Sequence, residues 1–310
     1  MTTKAIEVRR PATGTVSERI VAFIARTPAH IVLIGIAILW LVPSVGLLIT
    51  SFRPRPDIAS SGWWETFRSP QFTIDNYQHV LEGQKMASSF VNSLAITIPS
   101  TLLPLFLGAL AAFAFSWIRF PLRDTIFLVI VALMIIPIQM ALVPDLTLFS
   151  NPCGLWGGDC REVGQQLRLT QSYGGIWLAH TAFALPFAVF LLRNFFITLP
   201  RDLIEAARVD GASNFGIFWR VILPLSVPAL ASFGIFQFLW VWNDLLNALV
   251  FIQNSDLLPL TVRITQVQGT YGAEWDLLSS GAFVLMFVPL VVFFALQRYF
   301  VQGLLAGSVK

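Results

Sequence analysis

Six stretches of the sequence, residues 27–52, 86–118, 125–143, 169–192, 221–243 and 277–297, contain no Lys, Arg, Asp or Glu. Nothing else constrains the fold as strongly. A helix rises about 1.5 Å per residue and the hydrocarbon core of a bilayer is about 30 Å thick, so each run can cross once with roughly 20 residues. Within lipid the backbone N–H and C=O groups must be paired inside the protein, and a helix does this by itself. The expectation is an all-α membrane protein with six transmembrane helices, near residues 29–51, 88–117, 125–144, 173–193, 221–246 and 278–298, forming a single domain over 1–310. Composition agrees, with 56% hydrophobic and 12% charged residues, about half the charged share of an ordinary soluble domain. The first run does not read as a cleaved signal, because acids and bases are mixed ahead of it and no small-x-small site follows.

Basic residues set the expected orientation, since Lys and Arg concentrate on the cytoplasmic side. With both termini inside, the inner segments hold 13 basic and 6 acidic residues, and the outer segments 7 and 11. The two faces then carry about +7 and −4, so the overall +3 gives no reason to expect nucleic acid as a partner. The sequence also lacks the patterns of self-contained chemistry. Its three lysines, Lys4, Lys85 and Lys310, are not followed by Ser or Thr, which removes a phosphate-cradling loop ending in Lys-Ser/Thr. His30, His79 and His180 stand far apart and read as interfacial or packed histidines, and no Gly-x-Ser-x-Gly elbow occurs. No catalytic or metal-binding residue is expected, and this chain should bind no cofactor. Ion-driven carriers keep ionisable groups at membrane depth; here Asp244, at the end of the fifth run, is the main exception. Any energy must come from a partner.

Between the fourth and fifth runs, "LIEAARVDGASNFGIFWRVILPLSVPA" starts at Leu203 and interrupts the apolar sequence with charge. Pro200 suits a first helical turn, where its missing N–H costs nothing. Asp202 and Glu205 favour the positive end of the helix dipole and Arg208 the negative end. Gly211 fits the left-handed stop position, and Ser213 is a candidate N-cap for a second short helix. A helix near 200–211 is too short to be stable alone and should dock. Ala206 and Ala207 leave room for a foreign backbone, while Glu205 and Asp210 offer charge to basic partners. An amphipathic helix resting on headgroups of the membrane lipid is the alternative, which two acids suit poorly.

Glu205-Ala206-Ala207, three residues, Gly211, nine residues, Val221, one residue and Leu223-Pro224 resemble the EAA loop of bacterial ABC importer permeases, with Val221 where that family usually has Ile. "NSLAITIPSTLLPLFLGALAAFAFSWIRFP" (92–121), "MIIPIQMALVP" (134–144), "WNDLLNALVFI" (242–252) and "RYFVQGLLAGSVK" (298–310) extend the resemblance to carbohydrate-uptake permeases of the maltose type. The layout is similar to the smaller of the two permeases of such systems, with the alpha-glucoside branch as the nearest match. The resemblance implies a multi-pass subunit of the bacterial inner membrane. Its implied partners are a second, non-identical permease, two cytoplasmic ATPase subunits that bind ATP and Mg, and an extracytoplasmic sugar-binding protein. Glu205, Ala206, Ala207, Asp210 and Gly211 would form the coupling helix seated in an ATPase cleft. An ion-coupled secondary sugar carrier is the alternative, with an intramembrane enzyme a distant third.

Three further groups carry expectations. Gln237, Trp240, Asp244 and Asn247 recur at helical spacing, with Asn243 alongside; amides, a carboxylate and an aromatic suit sugar hydroxyls and ring faces, although such residues also join helix to helix. The last external segment, about 254–276, offers Gln266, Gln268, Gly269, Thr270 and Tyr271, which the family resemblance would make a probe of the binding protein's cleft; an ordinary solvated loop reads similarly. Cys153 and Cys160 are the only cysteines, in an external loop with Gly154, Gly157 and Gly158 between them. An oxidising compartment favours a bridge there, worth roughly 2 kcal/mol for so short a loop. Two free thiols are the alternative.

Overall fold

The computed structural model describes residues 16–153, 158–167, 169–170, 172–267 and 274–306. Every regular element among the described residues is helical. The chain begins with α1 (Val16–Ser51), the short α2 (Arg55–Ser60) and α3 (Asp75–Gln78), and the long α4 (Met86–Trp117). Next come α5 (Arg123–Leu133), α6 (Ile138–Ser150), α7 (Arg161–Leu167) and α8 (Tyr173–Phe196). Two short helices, α9 (Arg201–Val209) and α10 (Asn214–Ile217), precede α11 (Leu223–Leu225) and α12 (Val227–Trp242). The chain then forms α13 (Leu246–Phe251), α14 (Leu260–Val267) and α15 (Trp275–Ala306).

Four segments are long and apolar enough to cross a membrane alone: His30–Ser51 of α1, α4, α8, and Trp275–Gln297 of α15. The expected continuous spans at 125–144 and 221–246 are instead broken helices. α5 and α6 meet at 101°, and Asn214–Leu225 meets α12 at 76°, so there are six crossings only if each bent pair counts as one. Proline explains both breaks. Pro137 opens α6 in an extended conformation, φ −61° and ψ 132°; it has no N–H to continue the ladder and pushes Ile136 out of the helical region. In the second pair, Pro224 and Pro228 cannot donate to the carbonyls four residues before them. There the chain widens to a π turn at Phe218–Ile222 and breaks at Ser226, whose N–H still reaches the Ile222 carbonyl at 3.0 Å. Pro99, Pro104, Pro186 and Pro289 sit inside unbroken helices, as neighbouring helices in a bundle permit.

The centre of the bundle is the α4–α8 pair. At Gly108 a Cβ would lie 2.6 Å from the Ala188 Cβ, and Ala109, Ala112 and Ala188 are fully buried. Lipid supplies no hydrophobic drive between helices, so association depends on this close approach of small residues. α12 packs on α4 and α15, and α1 lies along α15, leaving Ile31, Leu33, Leu39, Trp40 and their neighbours exposed. Such an apolar face belongs in lipid or against another transmembrane helix.

Polar side chains fasten the end of the bundle at the start of α4. Asn92 Nδ2 donates to the Asp256 carbonyl (2.8 Å) and the Leu258 carbonyl (3.1 Å), and its Oδ1 accepts from Tyr173 OH at 2.7 Å. Ser93 Oγ accepts from the Leu260 N–H at 2.9 Å, and Trp177 Nε1 donates to the Ala95 carbonyl at 2.9 Å. Cys153 and Cys160 form a disulfide in the segment between α6 and α7, with Cα atoms 5.3 Å apart.

Candidate coupling helix and membrane cleft

α9 is a short helix held from both ends. Pro200 precedes it with φ −58°, Asp202 stands in its first turn and Arg208 in its last. It ends in a Schellman motif: Gly211 N–H donates to the Arg208 carbonyl (3.0 Å) and Ala212 N–H to the Ala207 carbonyl (2.9 Å). Gly211 itself takes φ +80°, a left-handed conformation that only glycine adopts without strain. Ser213 then caps α10, accepting from the Gly216 N–H at 3.2 Å.

One side chain anchors α9 to the bundle. Ile204 is 1% exposed and sits in a cluster with Ala109, Ala112 and Phe113 of α4 and Leu192 and Phe196 of α8. Arg208 Nη2 adds a hydrogen bond to the Trp117 carbonyl at the end of α4, 3.0 Å. Leu203, Glu205, Ala206, Val209 and Asp210 are exposed, and Glu205 and Asp210 form no ion pair among the described residues. The two alanines do not share one bare face. Ala206 points outward, whereas Ala207 is half-buried against the Ile204 cluster, as a helical step of about 100° per residue requires. Phe215 and Trp219, which sequence reading passed over, extend the exposed surface as an edge-to-face pair 5.9 Å apart.

A second feature lies among the long apolar helices. A cleft of about 410 Å³ opens between the α5–α6 joint, α8 and α12. Gln237 and Trp240 line it from α12, Asn247 from α13 and His180 from α8. The anticipated continuous stripe is thus corrected. α12 stops at Trp242, and α13 starts at Leu246, so Asn243 and Asp244 fall in the turn between them. Asn243 Nδ2 donates to the Leu239 carbonyl at 2.8 Å and does not line the cleft. Asp244 caps α13: its carboxylate accepts from the Asn247 N–H (3.3 Å), Asn247 Nδ2 (3.1 Å) and the Ala248 N–H (3.2 Å). Those bonds occupy the carboxylate, and it too lies outside the cleft lining. His180, read from sequence as an interfacial or packed residue, is 2% exposed with Nε2 3.6 Å from Asp244 Oδ2. The only sequence signal for it was a polar ring inside an otherwise charge-free run.

The segment after α13 is more structured than a free loop. α14 runs through Val267, and its Leu260, Val262 and Val267 are buried. Gln266 is exposed on this helix and accepts from Arg263 Nη1 at 3.0 Å. Gln268, Gly269, Thr270 and Tyr271 lie outside the described residues.

Comparison with known proteins follows the same lines. The chain is 46% identical over 313 residues to the osmoprotective compounds uptake permease protein of Synechocystis sp., covering 99% of both. It is 50% identical over 242 residues to the alpha-glucoside transport system permease protein of Rhizobium meliloti, covering 78% of this chain and 61% of that longer relative. Among solved structures, a chain of a bacterial ABC transporter involved in the import of the acidic polysaccharide alginate shares the fold, with a TM-score of 0.67 at 22% identity, covering 93% of this chain and 99% of that one. Residues 85–306 match the family described as binding-protein-dependent transport system inner membrane component, and with this match over most of its length the chain belongs to that family.

Proposed function

We propose that the chain is one of the two transmembrane subunits of an ATP-driven sugar importer. A second, non-identical permease completes the path, two cytoplasmic ATPases bind ATP and Mg, and an extracytoplasmic binding protein delivers the sugar. An alpha-glucoside is the substrate favoured by the similarity to the Rhizobium protein. Both termini and α9 face the cytoplasm. The family described above supports a binding-protein-dependent importer over the ion-coupled carrier.

The observation that carries the reading is the construction of α9. Its apolar anchor Ile204 is sunk between the ends of α4 and α8, while Glu205, Ala206 and Asp210 are exposed and the two acids form no ion pair among the described residues. Such a helix can be pushed or pulled from outside the membrane and carry the two central helices with it. Closure of the ATPases on ATP would draw the coupling helices together and turn the path outward. Gln237, Trp240 and Asn247 would line that path, and Gln266 with Gln268, Gly269, Thr270 and Tyr271 would meet the binding protein on the far side. No bond chemistry falls to this subunit.

Reversal of one charge tests the docking role. In the complex reconstituted with its binding protein, Glu205→Lys should abolish most of the ATP hydrolysis stimulated by loaded binding protein while leaving the subunit folded in the membrane. Full stimulation in an intact Glu205→Lys complex would refute it.

A further inference from the structure

The segment that follows α1 turns back along it. Arg53, 4% exposed, donates to the Asp57 and Ser61 carbonyls, each at 3.0 Å, and the Thr73 N–H reaches the Phe52 carbonyl at 2.7 Å. The stretch between these fastenings is a closed loop on the end of α1, and it contains a 3-10 turn, Trp63–Phe67. Trp63 lies against α1 at Gly46, where a Cβ would come 2.7 Å from the indole Nε1. Gly46 stands five residues before Ser51, the last residue of the apolar span. At about 1.5 Å per residue the ring therefore sits about 7 Å inside that end of the span. Trp63 meets Trp64 and Phe67 edge to face, with centroids 6.0 and 6.2 Å away. These two rings are uncovered, Trp64 being 62% and Phe67 75% exposed. Glu65 and Arg68 form an ion pair beside them at 3.6 Å.

We infer that this turn is an interfacial anchor, with Trp64 and Phe67 held in membrane lipid at the boundary between headgroups and acyl chains. The lipid belongs to the leaflet that surrounds the C-terminal end of the α1 span. Interfacial elements reach about 5–10 Å into that boundary, which matches the depth of Trp63 along α1. Val42 and Val45, next to Gly46 on α1, are exposed as well, so the aromatic turn continues an apolar surface that α1 offers to lipid. Indole suits this zone because its ring is apolar and its N–H polar. A neighbouring transmembrane helix would call for small residues that let two backbones approach; two protruding aromatic rings hold a backbone off. Glu65 and Arg68 cancel in charge, so the turn recognises the boundary itself and not the sign of a headgroup. Arg55 of the same loop pairs with Glu274 (3.4 Å) and Asp276 (3.7 Å) at the start of α15. Lipid contact at the turn thus also sets how α1 and α15 sit in the bilayer. The inference depends on the membrane-spanning fold and on neither the sugar nor the ATPases.

The test uses the assembled complex in phospholipid nanodiscs, where solvent reaches both leaflets. Trp64→Cys and Phe67→Cys, made separately, each carry an environment-sensitive fluorophore. Glu82→Cys is the control, an exposed position ahead of the α4 span. The native cysteines are bridged, and the unmodified protein treated with the same reagent serves as the blank. At 64 and 67, lipid carrying a nitroxide near the head of its acyl chain should quench several-fold more than at 82. A nitroxide near the chain end should quench less than one near the head, and iodide in solution should quench several-fold less than at 82. Loaded binding protein should change none of these. Iodide quenching equal to that at 82 would place the turn in water and overturn the anchor. Shielding from iodide and from both lipid nitroxides would overturn it in favour of a second permease covering the rings. Shielding from iodide that begins only when binding protein is added would overturn it in favour of that protein.

Discussion

Gly211 offers a measurement in which backbone strain is separated from space. Its φ of +80° is left-handed, and a Cβ built there meets nothing within 4 Å. A substitution therefore clashes with no neighbour, and its effect must come from the conformation. A non-glycine residue held left-handed costs about 1–2 kcal/mol, which shifts the equilibrium between the capped and uncapped helix end by about 5–30-fold. Asn tolerates this region better than Ala, and a β-branched residue worst. Gly211→Asn should be mild, Gly211→Ala intermediate and Gly211→Val severe. The uncapped end releases the Ala207 and Arg208 carbonyls, which now accept at 2.9 and 3.0 Å, and frees Arg208 and α9 to fray from Trp117. The readout is ATP hydrolysis stimulated by loaded binding protein in the reconstituted complex, with the quantity of co-purifying ATPase as a control for assembly. Equal activity of the Val and wild-type proteins, or an Asn variant as damaged as the Val variant, would refute the conformational argument.

Other perturbations read different parts of the fold. Gly108→Ala should force α4 and α8 apart, since the new methyl would stand 2.6 Å from the Ala188 Cβ, and overpacking of this kind costs about 1–3 kcal/mol; thermal unfolding in detergent should fall by several degrees, and an unchanged midpoint would contradict the close crossing. Ile204→Ala removes the anchor of α9 at about 2–5 kcal/mol, and limited proteolysis should cut near residues 201–213 faster than in wild type. The Cys153–Cys160 bridge predicts that a membrane-impermeant thiol reagent labels intact protein only after reduction; labelling of both residues without reductant would show free thiols.

Sequence and structure part company at identifiable residues. Charge-free runs locate the crossing segments because lipid excludes charge along a whole helix, and the cap chemistry of Gly211 and Ser213 is local enough to be read directly. Prolines within the runs suggest kinks, but which of them break a helix is not legible. Pro137 marks one, yet Pro104 and Pro186 sit in unbroken helices, so the outcome depends on which neighbours re-pair the freed carbonyls. Spacing also misled at Asp244: residues 237, 240, 244 and 247 match a helical period, but the helix stops at Trp242 and the carboxylate turns to cap α13. His180 carried no motif at all. Its place beside a cavity depends on the α5–α6 bend, which hydropathy does not show.

The packing between α9 and the cleft has a mechanical meaning. Leu191 of α8 rests against both the cluster around Ile204 and a second cluster of Ala184, Ala188 and Phe233. Phe187 belongs to that second cluster and is also part of the cleft wall. Close-packed interiors compress little and pass strain onward. A load applied at Ile204 thus has a continuous train of side chains, through Leu191 to Phe187, along which to travel, and the bent segments on either side are the joints that can yield to it. Shortening Leu191 would put slack into that train without altering the surface at one end or the hydrogen-bonding groups at the other.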